Sequence, residues 1–133
     1  MYTETVIEHY KNPQNIGEID DADGIGEAGE MKCGDFMKLF IKVKDNHICD
    51  IKFQVYGCGA AIASSSMTTV LAKGKHILAA YAITNKMISE ALGGLPPEKE
   101  HCSLLGERAL KSAILNHSQK TKISQMKNET FQK

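Results

Sequence analysis

The sequence has almost no arginine. Arg108 is the single one among sixteen basic residues, so the planar guanidinium favoured in phosphate and base-edge recognition is nearly missing. Net charge is missing too, since sixteen acidic residues cancel the basic ones and the pI is ≈ 6.9. These two absences exclude a generally basic nucleic-acid or membrane-surface binder. No apolar run approaches the ~18 residues of a membrane span. The opening MYTETVIEHYKNP carries charges where a signal peptide would be apolar, so a soluble, cytoplasmic protein is expected. Four cysteines are too few for a disulfide scaffold. In a reducing compartment they are free thiols or metal ligands.

With 133 residues, one domain is the default. Charge is uneven along it. Residues 1–66 carry six Lys and eleven Asp or Glu, and residues 67–133 carry ten basic and five acidic residues. Partner steering and a solvated acidic loop both fit that asymmetry. Thr3 to Lys11 reads as a helix capped by Thr3, with Val6, Ile7 and Tyr10 on one face, ending at Asn12-Pro13. Residues 36–43 alternate as a strand with Met37, Leu39, Ile41 and Val43 on one face. Asp45-Asn46 is a turn. Residues 48–56 alternate again, with Cys49, Ile51, Phe53 and Val55 apolar. The stretch near 24–31 supplies a third strand. From Ala60 the period becomes helical, with Ala63, Met67, Val70 and Leu71 in one stripe and Gly74 as cap. Short helices follow at 76–81 and at 85–92, the latter between Thr84 and Gly93, and a last one spans 102–117. The expected fold is α+β, helices packed on one face of an antiparallel sheet, over residues 1–117. Residues 118–133 read as a polar, flexible tail.

The cysteines divide by position. Cys49 is in phase with Ile51, Phe53 and Val55, which predicts a buried side chain acting as a small hydrophobe. Cys33, Cys58 and Cys102 all fall at the ends of elements, two of them beside glycine. Cys58 and Cys102 precede helices, where a thiol pKa is expected to fall. Their separations of 25 and 44 positions match no local zinc knuckle, so only the fold could join them. A shared metal site and three unrelated thiols both remain open on spacing. Asp35 and His101 are the neighbouring candidates for a fourth ligand. An oxygen donor beside soft thiolates would hold an iron–sulfur cluster loosely, which suits release rather than electron carriage.

Four blocks go further: VIEHYKNPQNIG at 6–17, CGDFMKL at 33–39, YGCGAAIASSS at 56–66 and LGGLPPEKEHCS at 92–103. In order and content they resemble the NifU/IscU-type iron–sulfur cluster assembly scaffold, over the chain to about residue 117. The resemblance implies a three-stranded antiparallel sheet of the SufE/NifU-like kind. It implies cluster ligands at Cys33, Cys58 and Cys102, with His101 as a further ligand and Asp35 as the labilising residue. Cys102 would also receive persulfide sulfur. The implied cargo is a transient [2Fe-2S] cluster, convertible to [4Fe-4S] on a homodimer, with iron as input and zinc in the purified protein. The implied partners are a cysteine desulfurase, apo iron–sulfur proteins and an Hsp70/Hsp40-type chaperone pair reading Leu95-Pro96-Pro97-Glu98-Lys99. Tyr2 would lie at dimer contacts. Glu98 departs from the apolar residue of IscU-type members, and Gly93-Gly94 brings the segment nearer the NifU branch. His101-Cys102 and GCGAAIASSS set the chain apart from the SufU branch. A scaffold of this kind has no conventional turnover. The second reading is a zinc-bound sulfur acceptor that stimulates a desulfurase.

Overall fold

Asp45 and Asn46 both adopt positive φ, 52° and 62°, the mirror-image turn whose twist suits a two-residue hairpin. It joins β2 (Asp35–Lys44) to β3 (His47–Tyr56), and β1 (Gly24–Glu30) lies antiparallel on the far side of β2. This computed structural model describes residues 2–30 and 34–131, with side chains described except at residue 30 and residues 122–131. Met37, Leu39, Ile41, Ile51 and Phe53 are fully buried on the inner face of the sheet. Each such side chain contributes about 1.5–3 kcal/mol on removal from water.

Cys49 does not join them. Lys42 pairs with Asp50 but Val43 pairs with Ile48, so β3 carries one extra residue, and it is Cys49. This β-bulge resets the alternation. Ile48 takes the inward position, fully buried, and Cys49 is exposed, its thiol donating to the Lys42 carbonyl at 3.4 Å.

The inner face is covered by helices. α1 (Glu4–Lys11) is capped by Thr3, whose hydroxyl accepts from Val6 N–H, but only Val6 is buried; Ile7 and Tyr10 face outward. α2 (Gly59–Ala72) is buried over most of its circumference, serines included, and Val70 rather than facing the core is exposed. Small side chains permit this, because hydroxyls return to the helix's own carbonyls: Ser65 to Ala61 at 2.8 Å and Thr68 to Ser64 at 2.7 Å. Ser66 instead receives Gln14 N–H at 2.9 Å and meets His9 Nδ1 at 2.7 Å, fastening the N-terminal segment. α3 (Ile77–Tyr81) and α4 (Asn85–Ala91) lead to a 3₁₀ turn at Pro97–Lys99 and to α5 (Cys102–Phe131). α5 runs past the expected stop at 117 because neither glycine nor proline follows Gly106. No helix among the described residues is long and apolar enough to cross a membrane.

Two glycines set how closely these layers approach. A Cβ at Gly26 would strike the Ala109 carbonyl and the Ala113 amide of α5, and one at Gly106 would strike the Thr68 hydroxyl of α2. Gly26→Ala should therefore cost about 1–3 kcal/mol through overpacking. Cys49→Ala should stay within about 0.5 kcal/mol, as an exposed site does. Urea unfolding of the two variants checks both.

Candidate metal centre

Three element ends meet at one corner of the sheet. β3 ends at Tyr56, Gly57 makes the turn, and Cys58 is the N-cap of α2. Cys58 makes no side-chain capping bond, so its sulfur is left for other partners. Asp35 begins β2. A Cβ at Gly57 would lie 2.6 Å from Asp35 Oδ1, so only glycine leaves room for that carboxylate beside Cys58. The 3₁₀ turn at Pro97–Lys99 brings His101 and Cys102, the first residue of α5, to the same place.

The sulfurs of Cys58 and Cys102 are 3.9 Å apart, far beyond a disulfide bond. His101 Nε2 lies 3.7 Å from Cys102 Sγ and 3.9 Å from Asp35 Oδ2. Donor atoms of Asp35, His101 and Cys102 all fall within 4.8 Å of one another. Ligands of one tetrahedral zinc ion stand roughly 3.3–3.8 Å apart, given its bond lengths. The observed spacings are at or just above that range. His101 is 61% exposed along its side chain and Cys102 only 1% exposed, so the corner opens on the histidine side and is closed behind the thiol.

Of the residues read from the sequence, Cys58, Cys102, Asp35 and His101 are brought together. Cys33 lies outside the described residues. The expectation of a lowered thiol pKa at the helix start fails for Cys102. Burial, then the nearby Cys58 and Asp35, push it up to about 12, against a smaller opposing pull from Lys99. Lys99 is a site residue that sequence reasoning missed. Its ammonium lies 3.8 Å from Cys58 Sγ, and that thiol is the main cause raising the lysine pKa. The available signal was its place three residues before Cys102, on the same turn. Arg108 was missed as well: it lines the ≈ 570 Å³ cleft formed with Asp35, His101 and Cys102.

The profile of the family described as NifU-like N terminal domain matches residues 1–124. The chain belongs to that family. The protein named iron-sulfur cluster assembly scaffold protein IscU 1 from Archaeoglobus fulgidus is 52% identical, over 100% of this chain and 88% of its own. The IscU scaffold protein of Escherichia coli K12 is 51% identical, covering 90% of this chain and 95% of its own. In structure, a nitrogen-fixing NifU-like protein (N-terminal) from Brucella abortus superposes with a TM-score of 0.68 at 19% identity, over 89% of this chain and 94% of its own. The FiSufU protein of Fervidobacterium islandicum AW-1 gives 0.68 at 23% identity, over 85% and 96%. These two likenesses establish the fold alone.

A thiol whose folded-state pKa is raised makes stability pH-dependent. The ordinary value is 9.0 and the folded value about 12. Between them the unfolded chain has released a proton that the folded chain still holds, so folding weakens as pH rises. Below pH 9 both states are protonated at this group and the effect vanishes. A zinc ion bound at the thiolate would take the proton's place. The metal-free protein is therefore expected to lose melting temperature above about pH 9, more steeply than the zinc-loaded one. Anaerobic melting curves with and without zinc check this, and equal slopes would remove the role given to Cys102.

Proposed function

We propose that the chain is a scaffold on which a [2Fe-2S] cluster is built transiently and from which it passes to apo-proteins, without conventional turnover. The observation that carries this reading is the meeting of Cys58, Cys102, His101 and Asp35 at one open corner. Relatives at 51–52% identity named as cluster assembly scaffolds support it. Cys33 is proposed as the third thiolate ligand. Soft thiolates hold iron and sulfide, and the harder oxygen of Asp35 weakens that hold. Departure then costs less than from an all-cysteine site. The working unit is taken as residues 1–117, with 118–133 as a dispensable polar extension.

Sulfur is proposed to arrive on Cys102 from a cysteine desulfurase. The Cys102 thiol loses its proton, and its thiolate attacks the outer sulfur of the donor's persulfide. A new S–S bond forms on Cys102, the donor's S–S bond breaks, and the donor cysteine leaves as thiolate and takes up a proton. Lys99 beside Cys58 favours charge on the sulfurs during this step. Lys99 also ends the Leu95–Lys99 segment proposed for Hsp70/Hsp40-type chaperones. A chaperone gripping that segment would draw the ammonium from the thiols and loosen the site. Glu98 makes this grip weaker than in relatives with an apolar residue there. A homodimer, with conversion to [4Fe-4S], and a cytoplasmic location complete the proposal.

The second reading keeps zinc as resident and makes the chain a sulfur acceptor that stimulates the desulfurase. What favours it is that Asp35, His101 and Cys102 hold three donor atoms within 4.8 Å of one another, with Cys58 Sγ 3.9 Å from Cys102 Sγ.

Anaerobic incubation with iron, cysteine and a desulfurase should give a chromophore with about two irons and two sulfides per site. Tight zinc retention without a chromophore would favour the second reading. Asp35→Ala should lengthen the lifetime of the chromophore; equal or faster loss would remove the labilising role. Cys102→Ser should abolish persulfide transfer, read by mass spectrometry.

A further inference from the structure

The two edges of the sheet are finished differently. On β3, Phe53 accepts from Gly17 N–H at 2.9 Å and donates to the Asn15 carbonyl at 3.0 Å. Ile48 likewise donates to the Lys75 carbonyl and accepts from Gly74 N–H. An unpaired strand edge is a template for another chain, and this one is closed. The β1 edge is open. Ile25 N–H points away from β2 and donates to Asn116 Oδ1 of α5 at 2.9 Å. Alternation along an antiparallel strand puts the C=O of Ile25 and the N–H and C=O of Glu27 on that same outward side, and Gly29, at φ 84°, ends the regular run. Glu27 is exposed, and among the described residues its outward groups find no partner.

The open edge leads to the metal corner. Gly29, at its far end, lines the cleft that holds Asp35, His101 and Cys102. Ile25, at its near end, lines a second cleft of ≈ 550 Å³ with Lys111 and Leu115. Arg108 lines both, so one trough follows the edge. Residues 104, 108, 111 and 115 recur at helical spacing, so a single stripe of α5 forms its wall.

We propose that this edge is a docking rail for the cysteine-bearing ligand segment of an apo iron–sulfur recipient, which pairs with β1 as a fourth strand. The inference rests on the transfer role proposed above and adds how the recipient is held. A ligand segment without its metal is unfolded, so its backbone groups are free to pair with an edge, and edge pairing tolerates varied sequence. From Ile25 to Gly29 the rail spans about 14 Å, enough for about five extended residues. Arg108 selects a carboxylate on that segment, while the exposed Glu27 disfavours a second acid opposite it. The leading end reaches the corner, where each incoming thiol gives its proton to the scaffold thiolate it displaces. Iron and sulfide keep their oxidation states.

The test uses the full chain and, as recipient, a [2Fe-2S] ferredoxin stripped of its cluster. Glu27→Pro removes one outward N–H and leaves the ladder to β2, whereas Glu27→Ala keeps that N–H. Transfer from Glu27→Pro is expected to be about tenfold slower than from Glu27→Ala, with cluster loading equal in the two. Equal transfer rates overturn the proposal. A second measurement needs neither variant nor cluster. Amide hydrogen exchange at Glu27 of the unaltered chain should slow when the stripped ferredoxin is added, and unchanged exchange there overturns the rail. A chain that loads no cluster at all counts against the scaffold role instead, because the exchange experiment reads docking by itself.

Discussion

Cys58, Cys102 and Asp35 put three acidic donors into one corner, where burial first and their mutual repulsion second govern the Cys102 thiol. Two full charges about 4 Å apart, at an effective dielectric near 20, repel by about 4 kcal/mol. The pull of a helix N-terminus on an anion is about 0.3–1 kcal/mol in ordinary settings. Burial, with repulsion added to it, therefore prevails over the helix dipole, and Cys102 keeps its proton. The turn before α5 supplies part of the remedy, with Lys99 against Cys58 and His101 between Cys102 and Asp35. A bound cation supplies the rest. Cation uptake at this corner would then release a proton.

That corner exists because the layers behind it approach closely. α2 is lined with alanine, serine and threonine, so it can be enclosed by the sheet, α1 and α5 together. Gly26 and Gly106 let α5 lie against β1 and α2 at distances no side chain would permit. The frame fixes where α2 and α5 begin, with Cys58 as the N-cap of one and Cys102 as the first residue of the other. Gly57 then clears the space that Asp35 enters.

The frame is closed on one side and open on the other. The N-terminal segment and the turn after α2 seal the β3 edge, whereas β1 leaves backbone groups facing the trough that ends at the thiols. A protein that must hand over its cargo needs its ligand corner reachable from a surface where a partner can be held, and the open edge meets that need.

The sequence by itself determined the order of the elements, the α+β class and the hairpin turn at Asp45-Asn46, because period, caps and turn chemistry are local, and it offered the candidate set Cys33, Cys58, Cys102, Asp35 and His101, of which Cys33 lies outside the described residues. The motif blocks added the family. Cys49 was misread because a bulge shifts the alternation by one residue, and no local pattern in ICDIKFQV announces it. The thiol pKa of Cys102, the approach of Lys99 to Cys58 and the place of Arg108 on the cleft were decided only in three dimensions. Burial and charge proximity depend on which distant segments are packed together, and residues 44 positions apart become neighbours only after the sheet and α5 have closed on α2.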